Sequence, residues 1–486
     1  MTEQAIIKPA ASGFDPRPYL QLMQQGQFQN VLTILHPQVA AGLADCAMLD
    51  LISQCYFGLE RPERGIEVLE AIVTTWPDNI SAWGKLGARR LQNGNIAEAA
   101  EAFEQILSFQ PNSVMALTAL YVASPYDWNS RYAKRLRKLL AKGRVSQSEK
   151  RNIFSALGKI SSTEGRTNIA FSYFKAAKDE TPGRYNAEAV TASVTGQRQH
   201  FDPSHLPHLE CDINTAKPVF IVGPPRSGTT LIENMLNAHQ GVGTIGESPA
   251  LMQVRFILTD HRSQEITQHQ DEALPFGQHQ EKDWHWCRNT SPEQAMAGRK
   301  AYLAHHPLQN GTSKPEIIIN KLPQNHFEMG FARMILPDAR FIFMMRHPLD
   351  VGLSLFCTNF HAGHFYSKKL AWIGHYIRAS YESLDDYIPK LGSRLHLQSY
   401  RQLVEAPEPQ MKALLKHVGL EWDPNCLTPQ NSKGLVKTAS LRQVRAGLNT
   451  SGLGKWKQFE TQLEPLIESL GGWDWIKKWE ARDAAL

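Results

Sequence analysis

The residues best able to do chemistry lie in the run KPVFIVGPPRSGTTLIENMLNAH, 217–239. A buried strand there feeds a Gly/Pro turn, and a helix follows from near Thr229. Such a turn aims backbone N–H groups and the positive end of the helix at one point, which suits a phosphate. Gly223 and Gly228 keep the GxxxxG spacing of a P-loop, but Thr229 stands where a Walker A motif has Lys. Arg226, inside the loop, is the nearest substitute cation, with Ser227, Thr229 and Thr230 as hydroxyl donors. Two further strands also end on cations: RFIFMM on Arg346 and EIIIN on Asn320-Lys321. A nucleoside triphosphatase or kinase would put an Asp at such a strand end to hold Mg²⁺. The pattern describes a pocket for a nucleotide with extra anionic groups and no metal.

The elements that must position these residues follow from periodicity. Apolar runs at 218–222, 316–320, 340–345 and 394–398 read as buried strands, and the stretches 229–239, 349–358 and 367–388 have helical spacing. Alternation of this kind predicts a parallel sheet with helices on both faces, over 217–486. Before residue 200 the pattern is helical and repeats every 34 residues. Residues 80–113 place Trp83, Leu86, Gly87, Ala99, Phe103 and Pro111 in a set of slots that 151–184 refills with Leu157, Gly158, Ala170, Phe174, Ala177 and Pro182. Residues 46–79 keep Tyr56 and Pro77, 114–150 are degenerate, and 12–45 is a candidate earlier unit. Small residues let two helices of a unit approach, and the proline ends the second. This is the tetratricopeptide pattern, an all-α domain over 1–200. Little periodicity remains over 185–215, which reads as the junction, with 201–216 as linker.

Composition bounds the rest. The chain has 486 residues, 42% hydrophobic and 20% charged, so it is neither disordered nor collagen-like. Lys+Arg of 52 against Asp+Glu of 47 leaves +5, too mild a balance for bulk nucleic-acid binding. Six cysteines without CxxC spacing fit a reduced compartment. The start, MTEQAIIKPAASGFDP, has no signal-peptide pattern, and no run of apolar residues is long enough to span a bilayer, so the expectation is a cytoplasmic protein. His261, His269, His279 and His285 match no zinc spacing, so no metal site is expected.

PRSGTT after one strand and RHPLDVGLS after another resemble the two nucleotide motifs of sulfotransferases, enzymes that use 3′-phosphoadenosine 5′-phosphosulfate (PAPS). The resemblance implies a P-loop-like sulfotransferase fold, with Arg226, Ser227, Gly228, Thr229 and Thr230 around the 5′-phosphosulfate. It implies Arg346 and Ser354 on the 3′-phosphate. SYRQLVEAP, 399–407, is similar to a family segment that would bring Tyr400 near the nucleotide. TASLRQVR and GKWKQFE resemble the late loop that closes over PAPS, which would offer Thr438, Ser440, Arg445 and Lys455.

The similarity covers roughly 215–470 and is greatest to the tyrosylprotein branch, whose bacterial relatives carry tetratricopeptide repeats in front. In that branch a Gly-Glu-Glu supplies the base. Here HQGVGTIGES keeps Glu247 in the matching place, but Ser248 replaces the second carboxylate, and Thr358 stands where an Arg follows the phosphate Ser. Lys321 matches the lysine that stabilises the bridging oxygen, so Glu247, Lys321 and Arg226 are the implied catalytic set. A base of this kind calls for burial to raise its pKa. His361 or His364 is the reserve base, by analogy with small-molecule sulfotransferases.

The implied acceptor is a protein tyrosine, which the repeats could hold as a peptide; carbohydrate and small-molecule hydroxyls are alternatives. A homodimer built through the repeats and a catalytically inactive repeat scaffold are further readings.

Overall fold

The structure, a computed structural model, describes residues 14–59, 61–210, 216–259, 284, 286–305, 315–360, 363–428 and 448–486. It divides into two compact units, with the division between Tyr173 and Phe174.

The first unit is helical. Its helices are α1 (Arg17–Gln24), α2 (Phe28–Ala40), α3 (Cys46–Gly58), α4 (Pro62–Thr75), α5 (Ile80–Asn93), α6 (Ile96–Phe109), α7 (Val114–Ala123), α8 (Arg131–Lys142) and α9 (Gln147–Thr163); α10 (Thr167–Asp179) crosses the division. Helices α3, α5 and α7 start at Cys46, Ile80 and Val114, 34 residues apart. Their N-caps keep the same period: Asp45, Asn79 and Ser113 each accept a hydrogen bond from the backbone N–H three residues on. A cap satisfies a donor the helix would otherwise leave unpaired, so a recurring cap fixes recurring helix starts.

Close packing within a pair depends on small residues. A Cβ on Gly87 would stand 2.6 Å from the ring of Phe103. In the preceding pair the slots of Gly87 and Ala99 hold Ser53 and Gly65, and the Ser53 hydroxyl donates to the Gly65 carbonyl at 3.0 Å. The unit 114–150, degenerate in sequence, still folds as the pair α7 and α8.

In the second unit lies a five-stranded sheet of β1 (Lys217–Val222), β2 (Val242–Thr244), β3 (Ile317–Asn320), β4 (Arg340–Met345) and β5 (Leu395–Ser399). Its order is β2-β3-β1-β4-β5 and every pairing is parallel. Helices cover both faces, so β1, β3 and β4 read as continuous apolar runs rather than alternating ones. The chain winds from β1 to one side of the sheet and then to the other. That makes a switch point beside β1, where the carboxyl ends of strands frame a crevice.

Two features depart from the sequence reading. Strand β2 is three residues at the sheet edge, half-buried, and too short to give an apolar run. Residues 187–200, assigned to the junction region, form helix α11 (Ala187–His200), which packs on helix Leu370–Leu391 inside the second unit. Much of that contact is polar, with Gln197 bonded to Ser383 and Asp386, so apolar periodicity does not reveal it. No helix among the described residues is long and apolar enough to cross a membrane.

Candidate functional site

The turn after β1 is built as its sequence demands. Gly223 has φ 134° and Gly228 φ 111°, and Arg226 itself takes φ 75°, a left-handed conformation rare outside glycine. A Cβ at Gly223 would lie 2.8 Å from the Met344 carbonyl oxygen, and one at Gly228 would lie 2.5 Å from the Tyr400 ring. Helix α12 (Thr229–Asn237) starts directly from Gly228, with Thr229 and Thr230 in its buried first turn. Ser227 is fully buried, and among the described residues its Oγ has no hydrogen-bond partner. A buried hydroxyl without a partner costs free energy that a bound oxyanion would recover.

On the β4 side the predicted residues come together. Arg226 Nε donates to Ser354 Oγ at 2.9 Å. Arg346, just past the end of β4, donates through Nη1 to the Arg226 carbonyl at 3.0 Å and through Nη2 to the Gly452 carbonyl at 2.6 Å. Its guanidinium lies 4.5 Å from the centre of the Tyr400 ring, a cation–π contact. Among the described residues its buried Nε has no hydrogen-bond partner and no carboxylate pairs with the side chain. Surrounding protein and the neighbouring positive charge of Arg346 push the Arg226 pKa down to about 10. Two guanidinium groups side by side, without a carboxylate bonded to Arg346, make a site that favours a polyanion.

Asp350, in the same RHPLD run, accepts from the backbone N–H groups of Gly454 and Trp456 and so holds the chain that carries Gly452. Lys455 begins the 3₁₀ segment Lys455–Leu463 and is exposed. Thr438, Ser440, Arg445 and His361 lie outside the described residues, as does the histidine-rich run 261–283.

On the β3 side the Glu247 and Lys321 pair forms. The loop after β2 stays zipped to the end of β3: Ile245 N–H donates to the Ile319 carbonyl, and Lys321 N–H donates to the Gly246 carbonyl. Asn325 donates to Asn320, and Asn320 in turn to the Ser248 carbonyl, which fixes the far end of the loop. Lys321 Nζ then meets Glu247 Oε1 at 2.5 Å. The lysine side chain is 1% exposed and that of Glu247 is 46% exposed. The burial that the sequence reading assigned to Glu247 belongs instead to a carboxylate it did not single out. Glu233, on α12, lies 3.4 Å from Lys321, and burial raises its pKa against the pull of that lysine. In sequence it looks like any polar residue in LIEN; only the packing of α12 on the sheet reveals it.

His364 hydrogen-bonds with Tyr366 at 2.9 Å, and burial pushes its pKa down to about 4, so it stands neutral at ordinary pH. Among the described residues no group of His, Cys, Asp and Glu is arranged to hold a metal ion.

A model of the sulfotransferase family matches residues 218–424. An uncharacterized protein of Aquifex aeolicus is 26% identical over 383 residues, 78% of this chain and 48% of that one. Protein-tyrosine sulfotransferase A of Caenorhabditis elegans is 24% identical over 253 residues, 49% of this chain and 60% of its own. Protein-tyrosine sulfotransferase 1 of Danio rerio is 25% identical over 258 residues, 49% of this chain and 65% of its own. The chain thus spans between about half and two thirds of the length of the curated relatives it matches.

Among solved structures, the sulfotransferase domain of the Synechococcus PCC 7002 olefin synthase is 22% identical, with a TM-score of 0.34, over 51% of this chain and 90% of that one. The sulfotransferase domain from the curacin biosynthetic pathway is 16% identical, with a TM-score of 0.32, over 53% of this chain and 98% of that one. The loop after β1, Glu247, Lys321, Arg346 and Ser354 all fall within residues 218–424, the span that matches the model of the sulfotransferase family.

Proposed function

We propose that this protein transfers the sulfuryl group of PAPS to a hydroxyl acceptor, with a protein tyrosine as the first choice. One observation carries the reading. Arg226, Ser354 and Arg346 form one bonded cluster, and Glu247 and Lys321 form an ion pair, all at the carboxyl ends of strands in one parallel sheet. In this reading Arg226, Ser227, Gly228, Thr229 and Thr230 hold the 5′-phosphosulfate, Arg346 and Ser354 the 3′-phosphate, and Tyr400 flanks the nucleotide. Thr438, Ser440, Arg445 and Lys455 are assigned to the closing loop. The buried, unpartnered Ser227 Oγ and Arg346 Nε fit this assignment.

PAPS supplies an activated sulfuryl group, and the transfer is an in-line displacement. A bond forms between the acceptor oxygen and sulfur as the bond from sulfur to the bridging oxygen breaks. The electron pair leaves on that oxygen with the nucleotide bisphosphate, and the acceptor proton passes to Glu247. Half-exposed, Glu247 is reachable by an acceptor hydroxyl, while Lys321 and Arg226 offset charge on the departing oxygen. No metal takes part in this scheme. The likeness to two protein-tyrosine sulfotransferases supports tyrosine as acceptor. The 34-residue helical pairs support a tetratricopeptide surface that holds an acceptor peptide or a second copy of the chain.

Calorimetric titration with 3′-phosphoadenosine 5′-phosphate, ADP and ATP, each with and without Mg²⁺, tests the pocket. The expected result is metal-independent binding that needs the 3′-phosphate and is lost in Arg346→Ala. Stronger binding of ATP with Mg²⁺ would turn the reading toward a kinase, and binding of none would leave the repeats as the working part. Mass spectrometry after incubation with PAPS then distinguishes tyrosine peptides from phenolic or carbohydrate acceptors.

A further inference from the structure

Lys321 has two carboxylate neighbours of different kinds. Glu247, from the loop after β2, is half-exposed, whereas Glu233, from α12, is enclosed, with the residue 9% exposed. Among the described residues these are the charged groups that face the lysine. Glu233 Oε1 also accepts a hydrogen bond from Thr244 Oγ1 at 2.8 Å. That same Thr244 hydroxyl accepts from the Gly246 N–H at 3.0 Å, one residue before Glu247. Glu233 therefore anchors both the ammonium and the loop that carries the second carboxylate.

In the reaction proposed above, Glu247 takes a proton and loses its negative charge just as charge grows on the departing oxygen. An ammonium that is 1% exposed has almost no water to replace a lost counter-charge. With two carboxylates around one ammonium, the cluster carries about −1 before proton transfer and about 0 after it. With Glu247 alone it would pass from neutral to an unpaired buried cation.

We propose that Glu233 is a positioning residue that keeps Lys321 charged and aimed at the departing oxygen after Glu247 is protonated. The inference rests on the functional reading above. Burial raises the Glu233 pKa, and the Lys321 ammonium and the Thr244 hydroxyl pull it back toward the charged form. Glu233 does not touch the reacting atoms in this scheme, and Lys321 has an N–H left over for the departing oxygen.

The test is Glu233→Gln, which keeps the shape and an acceptor for Thr244 but removes the charge. Affinity for 3′-phosphoadenosine 5′-phosphate and acceptor KM are expected to stay within about twofold of the parent, while kcat falls about 10- to 100-fold. The alkaline limb of the kcat profile is expected to move to lower pH, because the lysine proton is held less firmly. Glu233→Asp is expected to recover part of the lost kcat. A second measurement does not depend on turnover: the Lys321 side-chain ¹³Cε resonance, assigned by its loss in Lys321→Arg, is followed through pH. Its midpoint is expected to fall in Glu233→Gln. An unmoved midpoint, or a loss of nucleotide affinity as large as the loss of kcat, would overturn the proposal. If the parent protein transfers nothing from PAPS, the functional reading fails, and the Lys321 titration alone decides whether Glu233 holds the ammonium.

Discussion

The most informative atoms in the site are the two oxygens of Glu247, one of which is already taken by Lys321. A carboxylate tied to a cation must share that bond before it can accept a proton. Its half-exposed position allows this at little cost, since water or an acceptor hydroxyl can reach it. Glu247→Gln keeps the size of the side chain and removes the carboxylate that serves as base in the proposed scheme. The expected outcome is a fall in kcat of about 10²- to 10⁴-fold, with nucleotide affinity nearly unchanged, measured by single-turnover transfer and calorimetry. An equal loss of affinity would assign Glu247 to nucleotide binding instead. The pair Glu247 and Lys321 was legible in sequence because each stands at a fixed offset in a recognisable segment. Glu233 was not, because its role comes from the face of α12 turned to β2 and β3, and no local pattern encodes that.

At the scale of elements, each strand ends on one part of the candidate site: the glycine-rich turn after β1, Glu247 after β2, Lys321 after β3, Arg346 after β4 and Tyr400 after β5. Strands β1, β3 and β4 could be read from apolar runs because both faces of the sheet are covered there, and β5, half-buried over its first three residues, from Leu395 and Leu397. Strand β2 could not, being three half-buried residues on an edge. The loop after β1 depends on backbone shape as much as on side chains. Gly228→Ala forces φ 111° on a residue with a Cβ and pushes that Cβ to 2.5 Å from the Tyr400 ring. The backbone penalty alone is about 1–3 kcal/mol, and displacing Tyr400 adds to it. Thermal denaturation is expected to show a clear fall in Tm together with weaker nucleotide binding. Gly246→Ala, where a Cβ would meet nothing within 4 Å, is expected to leave a smaller mark. Equal effects of the two would mean that Tyr400 moves aside freely.

At the scale of the whole molecule, acid sensitivity follows from histidines buried without charge. His326 is 0% exposed, its Nδ1–H donates to the Pro323 carbonyl, and burial pushes its pKa down to about 4. Unfolded, it titrates at its ordinary value of about 6.5. The folded state therefore holds the weaker proton affinity, and stability is fully present above pH 6.5 and lost as pH falls from there toward 4. The expected loss from this one group is on the order of 3 kcal/mol. Urea unfolding of the second unit at several pH values measures it, and a slope left intact in His326→Gln would sink the assignment. Legibility at this scale was mixed. The change from helical repeat to parallel sheet was plain from periodicity, including pairs whose slots had drifted to Ser53 and Gly65. The division at Tyr173 was not, because α11 joins the sheet unit largely through amides and hydroxyls rather than an apolar stripe.

Arg226 turns its backbone to φ 75°, a conformation that glycine adopts freely and arginine at a penalty of about 1–2 kcal/mol. The same residue crowds a second guanidinium against Arg346, another burden on the unliganded fold. Both penalties would vanish with glycine at this position, so mutation without selection has an easy downhill route there. A lineage that kept the domain only as a scaffold would be free to take that route. Arginine at 226 is thus carried at a cost in stability that glycine there would avoid.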